Sequence, residues 1–346
     1  MPPSLTKTRL AELLEAARTL EVGVLGDFTL DGYWYADMTR SMLSRETPLY
    51  PRPVVRETYS CGGAANVAWN LADLGVHNVH AFTVLGKDWR GDLLRQVLTE
   101  ARVRLDAVLT WPDWSTPFYG KVVLTGPGTR QEDARLDFIN THPLPAEAES
   151  ALLAQVEARL PHLDALVIAD YQALGMATPA VVPALNDLAK RYDKVVFVVD
   201  SREQVERFAG MVFKPNEIEA GRWLFPDRRP GTVRLDELQQ AGEALQPTSR
   251  RPLYITLGEK GCLVLSEGAR WHLPAVEVKG PIDTVGAGDT FLSAVTCGLA
   301  AGAKPWEAAI LANLATGVTI QKLGVTGTAS PEEIRALSIS SGMVVE

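Results

Sequence analysis

A glycine-rich segment near the C-terminus has residue types suited to chemistry on an anionic ligand. It reads Gly286-Ala287-Gly288-Asp289, and small residues let backbone N–H groups approach a ligand closely. The apolar run 290–301 that follows predicts a buried helix, whose first N–H groups lack partners and attract negative charge. The segment therefore predicts an anion hole beside a carboxylate base, the two parts that phosphoryl transfer to an alcohol needs. The alternative is an ordinary turn in which Asp289 only caps the helix.

Two segments in the N-terminal part place polar side chains where a hydroxyl could bind. Asp27 and Asp31 follow the first predicted strand, and carboxylates there can accept hydrogen bonds from sugar hydroxyls. Gly62-Gly63 opens a predicted helix with Asn66 one turn further, and an amide both donates and accepts. Each Asp is equally consistent with a turn cap, and a Gly-Gly helix start alone is weak evidence.

A third segment offers oxygen ligands of the kind that Mg²⁺ prefers. Asn216 and Glu219 follow a short predicted strand and share a helix face at a spacing of three. Both could bind Mg²⁺, often through its waters. They could equally form a capping box, with Asn216 as N-cap and Glu219 at N3. The spacing does not separate these interpretations, which are compatible.

Two weaker signals lie further along the chain. A glycine-rich turn with Thr256, Gly258 and Gly261 follows a predicted strand, and alone it indicates only a hairpin turn. Asn313 lies in a mostly apolar predicted helix, where it could line an adenine pocket or be a satisfied core residue.

The elements that must position these residues alternate along the chain. Apolar runs at 22–25, 79–84, 165–169 and 195–199 predict strands, and helical patterns lie between most of them. This alternation predicts a mostly parallel sheet with helices on both faces, with ligands beyond the carboxyl ends of the strands.

Two stretches, 33–60 and about 116–140, interrupt the alternation. They predict extra strands that form a lid over one end of the sheet. A surface hairpin or a dimer contact is the alternative, and an exposed edge there is compatible with a homodimer. We expect one domain over residues 1–346.

Composition narrows the class of protein. The 346 residues are 46% hydrophobic and 22% charged, typical of a globular protein, and the net charge of -8 argues against a nucleic-acid partner. Three widely spaced cysteines indicate neither a disulfide framework nor a zinc site. Residues 4–20 predict an amphipathic helix rather than a signal peptide, and no apolar run reaches membrane-spanning length. We therefore expect a cytoplasmic protein without a membrane partner.

The order and combination of these segments resemble the ribokinase-like (PfkB) carbohydrate kinases over nearly the whole chain. The most specific part is Asp283–Phe291, supported by Gly62-Gly63 with Asn66 and by Asn216-x-x-Glu219. The resemblance implies a three-layer α/β/α sandwich with a mostly parallel central sheet and a small β-strand lid. It also implies a small-molecule sugar or sugar-phosphate substrate, with ATP and Mg²⁺ as cofactors.

Within that family, several segments are similar to the kinase portion of bacterial ADP-heptose synthases, which phosphorylate heptose 7-phosphate at O1. They are Gly26-Asp27, the run Asp31–Tyr35, Ser44–Pro48 with Pro53-Val54-Val55, Arg135–Phe138 and Lys322-Leu323-Gly324. The chain ends soon after the kinase portion, so we expect no attached nucleotidyltransferase domain.

The resemblance implies a role for each candidate residue. Asp289 is the general base, and Gly286, Ala287 and Gly288 supply the amides that hold charge on the transferred phosphoryl group. The implied substrate-binding residues are Asp27, Asp31, Gly62, Gly63, Asn66 and Asp170, with Arg45 and Arg135 as candidates for holding a substrate phosphate. The implied nucleotide and metal residues are Asn216, Thr256, Gly258, Gly261, Asn313, Glu219 for Mg²⁺ and Asp283 for a K⁺ ion that relatives often use.

The sequence also departs from the heptose kinases. They usually carry Asp-Tyr followed by Lys-Gly, whereas this chain has Asp170-Tyr171-Gln172-Ala173-Leu174-Gly175, without the lysine. Leu49-Tyr50 replaces small residues in the proline-rich segment, and Arg45 and Arg135 are equally consistent with surface ion pairs. Three alternatives therefore stay open: a kinase for an unphosphorylated sugar or a nucleoside, an inactive sugar sensor on the same fold, and a dinucleotide-binding dehydrogenase. The lack of Gly-x-Gly-x-x-Gly after the first strand disfavours the last of these.

Overall fold

The computed structural model describes residues 3–229 and 232–345. The strands, in chain order, are β1 Leu5–Thr6, β2 Glu21–Gly26, β3 Phe28–Asp37, β4 Val54–Gly63, β5 Asn78–Gly86, β6 Val108–Trp111, β7 Phe118–Gly126, β8 Thr129–Phe138, β9 Ala165–Asp170, β10 Val196–Ser201, β11 Val212–Phe213, β12 Leu253–Thr256, β13 Cys262–Ser266, β14 Ala269–Leu273 and β15 Val344–Val345. The helices are α1 Lys7–Ala16, α2 Ala64–Asp73, α3 Trp89–Glu100, α4 Ala146–Arg159, α5 Val181–Arg191, α6 Glu217–Leu224, α7 Leu235–Ser249, α8 Ala287–Ala300, α9 Pro305–Thr319 and α10 Pro331–Ser341.

A central sheet carries the fold. Within the described residues it has nine strands in the order β14-β13-β12-β11-β10-β9-β2-β5-β6. The strands from β12 to β6 pair in parallel, and β13 and β14 add an antiparallel edge. Strand β9 is an apolar run that is buried throughout, as expected for a parallel strand covered on both faces. The predicted mostly parallel sheet is therefore confirmed.

Alternate residues of the central strands point into two different cores. In β9, Val167 belongs to a core formed with α1, α2, α8 and α9, whereas Leu166 and Ile168 belong to a core formed with α4, α5 and α7. Because successive side chains of a strand face opposite sides, these cores lie on the two faces of the sheet. The three-layer α/β/α arrangement follows.

A second sheet of four strands, here called the lid sheet, has the order β4-β3-β7-β8. It begins at Phe28, two residues after the last residue of β2, and β4 runs to Gly63, directly before α2. The predicted lid segments 33–60 and 116–140 overlap it, but the first strand pair extends further at both ends. The reason is local: a single residue, Asp27, separates β2 from β3, and no loop separates β4 from α2.

Five strand ends lie at one edge of the central sheet, and those of β9 and β10 contact α8. The carboxyl ends of β2, β9, β10, β11 and β12 supply the segments around Asp27, Asp170, Asp200, Lys214 and Thr256. This is the edge at which ligands bind in sheets of this kind.

Elsewhere, β1 pairs with β15. No helix in the described ranges has both the length and the apolar character to cross a membrane.

Candidate active site

Asp289 lies in the first turn of α8 and is partly exposed. The helix begins after Gly286, which has φ +79° and acts as N-cap. A Cβ at residue 286 would lie 2.8 Å from Thr326 Cγ2 and 2.9 Å from Asn66 Nδ2, closer than real contacts allow. Both the left-handed backbone and the close approach of Asn66 therefore require glycine at this position.

The amides of this turn are not equivalent. The N–H of Ala287 already donates to the carbonyl of Thr284 at 3.1 Å. The N–H groups of Gly288 and Asp289 belong to the first turn of α8, where a helix offers no acceptor. A Cβ at Gly288 would meet no atom within 4 Å, so a ligand can approach this backbone. The arrangement suits an anion at residues 288 and 289.

A chain of side-chain hydrogen bonds orients the Asp289 carboxylate. Thr290 Oγ1 donates to Asn70 Oδ1 at 2.8 Å, and Asn70 Nδ2 donates to Asn66 Oδ1 at 3.1 Å. The Asn66 oxygen is thus an acceptor, so its NH₂ group faces Asp289 Oδ2, at 2.8 Å. Asn66 is fully buried, and the network fixes which way its amide points.

The opposite oxygen of Asp289 meets groups from the strand ends. Tyr171 Oη lies 3.0 Å from Asp289 Oδ1 and 3.0 Å from Asp200 Oδ2. Lys214 Nζ lies 3.0 Å from the same oxygen of Asp200, and both partners of this ion pair are almost completely buried. The buried Lys214 ammonium is thus linked to Asp289 through Asp200 and Tyr171.

These surroundings set the protonation of the site. Burial raises the pKa of Asp289 to about 6, and the Asp200 charge also raises it, while hydrogen bonds from Asn66 and Tyr171 lower it. Although burial lowers the pKa of Lys214, the charges of Asp200 and Glu219 hold it above its usual value. A carboxylate with a pKa near 6 is ionised at neutral pH yet still basic enough to accept a proton.

A small polar cluster lies at the start of β3 and the end of β4. Asp31 Oδ1 and Thr29 Oγ1 are buried and have no hydrogen-bond partner among the described residues. A Cβ at Gly62 would lie 2.1 Å from Asp31 Oδ1, so both oxygens pack against the glycine backbone and only glycine fits there. Burial raises the pKa of Asp31 to about 7, and the Asp289 charge adds to this effect. Unpartnered buried oxygens of this kind suit a hydroxyl-bearing ligand.

The strand register of the lid sheet brings charged groups to the same face as Asp31. Asp31 pairs with Tyr119 and then Asp137, while Tyr33 pairs with Lys121 and then Arg135. Residues opposite one another, and residues two apart on a strand, face the same side. We call this set the polar lid face: Asp31, Tyr33, Tyr119, Lys121, Arg135 and Asp137.

The cations of the polar lid face are already paired with neighbours. Arg135 donates two hydrogen bonds to Asp137, at 2.6 and 2.7 Å, and stacks over the Tyr119 ring. Lys121 Nζ donates to Tyr33 Oη at 2.9 Å. Arg45, by contrast, lies in the exposed loop before β4 and makes no ion pair with any residue of the described ranges.

Two predicted substrate-binding carboxylates, Asp27 and Asp170, accept hydrogen bonds from neighbouring segments of the protein. Asp27 accepts hydrogen bonds from the amides of Tyr171, Gln172 and Met176 at 2.8 to 2.9 Å. Burial raises its pKa to about 7, and the charge of Asp170 adds to this effect. Asp170 accepts from Ser201 and Gln204 and is also buried. This geometry favours positioning of the loop after β9, and substrate contact by either residue stays a prediction.

The predicted nucleotide residues lie together at the ends of β11 and β12. Asn216 caps α6 and forms a capping box with Glu219. Its backbone forms an isolated parallel β-bridge with Thr256. One Glu219 oxygen accepts from the Asn216 amide at 2.8 Å. Burial raises the pKa of Glu219 to about 7, and the Asp200 charge adds to this effect. Capping and metal binding remain compatible here, and only the first is visible.

Three other predicted nucleotide residues have different surroundings. Gly258 is exposed, whereas Gly261 is buried in the turn before β13. Asn313 donates to the carbonyl of Pro274 at 2.8 Å from a mostly buried position in α9. Contact of these residues with a nucleotide stays a prediction.

The described residues contain no group of three or more His, Cys, Asp or Glu side chains that could hold a metal ion. A Mg²⁺ ion would therefore depend on water and phosphate oxygens in addition to Asn216 or Glu219, as Mg²⁺ usually does. Asp283 accepts from the amides of Val285 and Gly324, both at 3.0 Å. Its role toward K⁺ stays a prediction.

Sequence reasoning missed four residues of this site: Tyr171, Asp200, Lys214 and Lys121. Asp200, Lys214 and Tyr171 had a usable signal, because each stands at or directly after the carboxyl end of a predicted strand, like Asp27 and Asp170. Lys121 had none, since its contact depends on how separate segments meet.

Comparison with known proteins identifies the family of this chain. Residues 38–333 match the model of the pfkB family carbohydrate kinases. The bifunctional protein HldE of Trichlorobacter lovleyi is 32% identical over 94% of this chain, and that of Photobacterium profundum is 33% identical over 90% of it. The chain spans 64% and 62% of the length of these two relatives.

Solved structures show the same fold. Arabidopsis thaliana ribokinase, complexed with ribose and ATP, superposes with a TM-score of 0.70 at 18% identity, covering 92% of this chain and 98% of the ribokinase. Escherichia coli phosphofructokinase-2, in complex with fructose-6-phosphate, gives a TM-score of 0.70 at 19% identity over 94% and 100% of the two chains. The ribokinase-like fold is thus confirmed, and the chain belongs to the PfkB family of carbohydrate kinases, as a sugar kinase.

Proposed function

We propose that this kinase transfers the γ-phosphoryl group of ATP to a hydroxyl of a phosphorylated sugar, in the manner of a heptose 7-phosphate 1-kinase. One observation carries the proposal: the Asp289 carboxylate is held at the start of α8 by Asn66 and Tyr171. Asn66 belongs to the same helix start as Gly62, beside the unpartnered oxygen of Asp31. A hydroxyl bound there has a base and an anion site within reach.

In the proposed reaction the acceptor hydroxyl donates its proton to Asp289 as its oxygen bonds to the γ-phosphorus. The bond between that phosphorus and the departing ADP oxygen breaks in line. The amides of Gly288 and Asp289, at the positive end of α8, receive the developing negative charge. Mg²⁺, when bound with ATP, would add positive charge at the phosphates, held through Asn216 and Glu219.

Two observations support an acceptor that already carries a phosphate. Lys121 and Arg135 place two cations on the polar lid face with Asp31. The sequence resemblance to the heptose kinases includes Arg135 and the segment around it. Arginine and lysine are the usual partners of phosphate oxygens. A sugar held by Asp31 would thus lie on the same lid face as these cations.

A second candidate, a kinase for an unphosphorylated sugar, also has an observation in its favour. Both hydrogen bonds between Arg135 and Asp137 are short, and Lys121 donates to Tyr33. The Asp137 carboxylate already neutralises Arg135 and would repel a phosphate bound beside it. The missing lysine after Tyr171 points the same way.

The test is ADP release with Mg-ATP across matched pairs of sugars and sugar phosphates that includes heptose 7-phosphate, with Asp289→Asn as the background control. Turnover confined to phosphorylated acceptors supports the proposal. Turnover with free sugars alone contradicts it and moves the substrate to the second candidate. Tight binding of a sugar without ADP release would favour an inactive sensor.

A further inference from the structure

The Tyr171 hydroxyl lies between two carboxylates at equal distances. It is 3.0 Å from Asp289 Oδ1 and 3.0 Å from Asp200 Oδ2. A phenol carries one hydrogen, so it can donate to only one of these oxygens at a time. While both carboxylates are ionised, one of the two contacts has no hydrogen in it. The three groups are therefore one proton short of a complete set of hydrogen bonds.

The proposed reaction would deliver that proton. Asn66 Nδ2 already donates to Asp289 Oδ2 at 2.8 Å, so a proton on Oδ2 would face a second donor. A proton on Oδ1 instead faces the Tyr171 oxygen, which can accept it. Tyr171 can then turn its own hydrogen toward Asp200, whose charge Lys214 balances at 3.0 Å.

We propose that Tyr171 is a positioning residue whose hydroxyl hydrogen points to Asp289 before phosphoryl transfer and to Asp200 after it. The inference rests on the proposed role of Asp289 as base. No covalent bond of Tyr171 changes, because the acceptor's proton stays on Asp289 and only the direction of the Tyr171 O–H bond alters. The hydroxyl therefore supports the ionised base first and the protonated base afterwards.

Other charged groups lie around this trio. The Arg202 guanidinium lies 5.2 Å from the centre of the Tyr171 ring. Glu219 interacts electrostatically with both Asp200 and Lys214, and Asp31 with Asp289. None of these groups forms a hydrogen bond with the Tyr171 hydroxyl within the described residues. Its hydrogen therefore has two acceptors to choose between.

The test is the pH profile of Tyr171→Phe, measured with the acceptor that the wild-type enzyme turns over best. In the wild type, kcat/KM should rise with pH through about 6, because Asp289 must lose its proton to act as base. Removing the hydroxyl removes a donor to the ionised Asp289 carboxylate, which raises the pKa of Asp289. The acidic limb of kcat/KM should therefore move to higher pH by about one unit. On the plateau, kcat should fall about tenfold, because the protonated base has lost its acceptor.

Asp200→Asn provides a variant with the opposite sign. Without the Asp200 charge, the Tyr171 hydrogen would stay on Asp289, and the acidic limb should move to lower pH. The matched control is Tyr254→Phe, since Tyr254 is a buried tyrosine whose hydroxyl donates to the Pro305 carbonyl at 3.0 Å and whose ring the substitution keeps. That variant should lose some thermal stability and keep the wild-type profile.

A Tyr171→Phe profile that coincides with the wild type would overturn the inference. So would a shifted limb with an unchanged plateau, because the hydroxyl would then act only before transfer. Failure of the proposed function looks different: Asp289→Asn would keep wild-type turnover. An inactive Asp289→Asn beside an unaltered Tyr171→Phe contradicts the inference alone.

Discussion

The base cluster around Asp289 and the polar lid face contain similar residues, but they differ in how completely their carboxylates are hydrogen-bonded. Around Asp289, the donors and acceptors of Asn66, Asn70, Tyr171 and Lys214 already contact one another. On the lid side, Asp31 Oδ1 and Thr29 Oγ1 are buried without partners among the described residues, and the nearby cations are paired with lid residues.

The difference lies in the elements that supply each set. The base cluster is built from α2, α8 and three strand ends of the central sheet, which both cores hold in place. The polar lid face is built on a separate sheet whose outer strand β8 is almost entirely exposed. We infer that the phosphoryl-transfer chemistry is preorganised, whereas acceptor selection depends on contacts completed by the ligand.

The largest effect should come from Asp289→Asn, which removes the proposed base without changing side-chain size. We expect turnover to fall by about 10² to 10⁴-fold while ATP binding changes little, because general base catalysis contributes about that much. ADP release and nucleotide titration measure the two quantities. Turnover near the wild-type level would show that the base cluster does not perform the chemistry.

Next, Lys214→Met should destabilise the base cluster more than any change on the lid. It leaves the Asp200 carboxylate buried without its ion-pair partner, which costs about 3–5 kcal/mol of unfolding free energy. Urea unfolding measures this, and Lys214→Met combined with Asp200→Asn should regain part of the loss.

The matched control is Lys322→Met, because the Lys322–Glu333 pair is partly exposed and the Lys322 ammonium otherwise donates only to the Thr328 carbonyl among the described residues. Loss of the ion pair and of that hydrogen bond should cost about 1 kcal/mol each or less. Equal losses for the two lysine variants would mean that burial of the Asp200–Lys214 pair does not distinguish the two regions.

Gly62→Ala should affect acceptor binding selectively. The new Cβ would lie 2.1 Å from Asp31 Oδ1, so it would displace the carboxylate to which we assign the acceptor. Overpacking of about 1–3 kcal/mol predicts a KM for the acceptor that is about ten- to a hundredfold higher, with the KM for ATP unchanged. Steady-state kinetics with each substrate varied in turn measures both.

Gly126→Ala, at the far end of β7, is the control for Gly62→Ala. Its nearest neighbour would be Thr129 Oγ1 at 3.1 Å, the end of a surface side chain. An equal rise in the KM for ATP in Gly62→Ala would contradict the separation between acceptor and nucleotide sites.

The smallest effect should come from the cations of the lid. Lys121→Met and Arg135→Met should each raise the KM for a phosphorylated acceptor about tenfold, and leave a free sugar unaffected, if a phosphate contacts them. Arg45→Met tests the exposed arginine in the same assay. Arg40→Met is the control, since Arg40 is an exposed lid residue that pairs with Asp37. A change that is equal for phosphorylated and free sugars would argue for a structural role.

Much of the fold could be predicted from the sequence, because long apolar runs and helical patterns are local signals. The strands β2, β5, β9 and β10 and the helix after Gly286 are examples. Helix α10 was missed although it has a local signal, the capping box of Ser330 and Glu333 with proline at its first position.

The candidate site divides along the same line. The segment of Asp289 and the glycines before α2 stand out locally, so their chemistry could be inferred from residue types. The contact between Tyr171 and Asp200 could not be predicted, because it depends on the register of β9 against β10. The pairing of Lys121 with Tyr33 depends in the same way on the parallel pairing of β3 with β7.

The immediate passage from β2 into β3 gives the lid sheet a fulcrum. Three backbone amides clamp Asp27 at that point, so β3 leaves the core as a lever fixed at one end. Asp31 stands about 13 Å from the fulcrum and Asp37, at the tip, about 33 Å. Any tilt of the strand would therefore displace Asp37 about two and a half times as far as it displaces Asp31. Leverage of this kind keeps the acceptor contact on the less mobile part of the lid and leaves the larger excursions to its outer end.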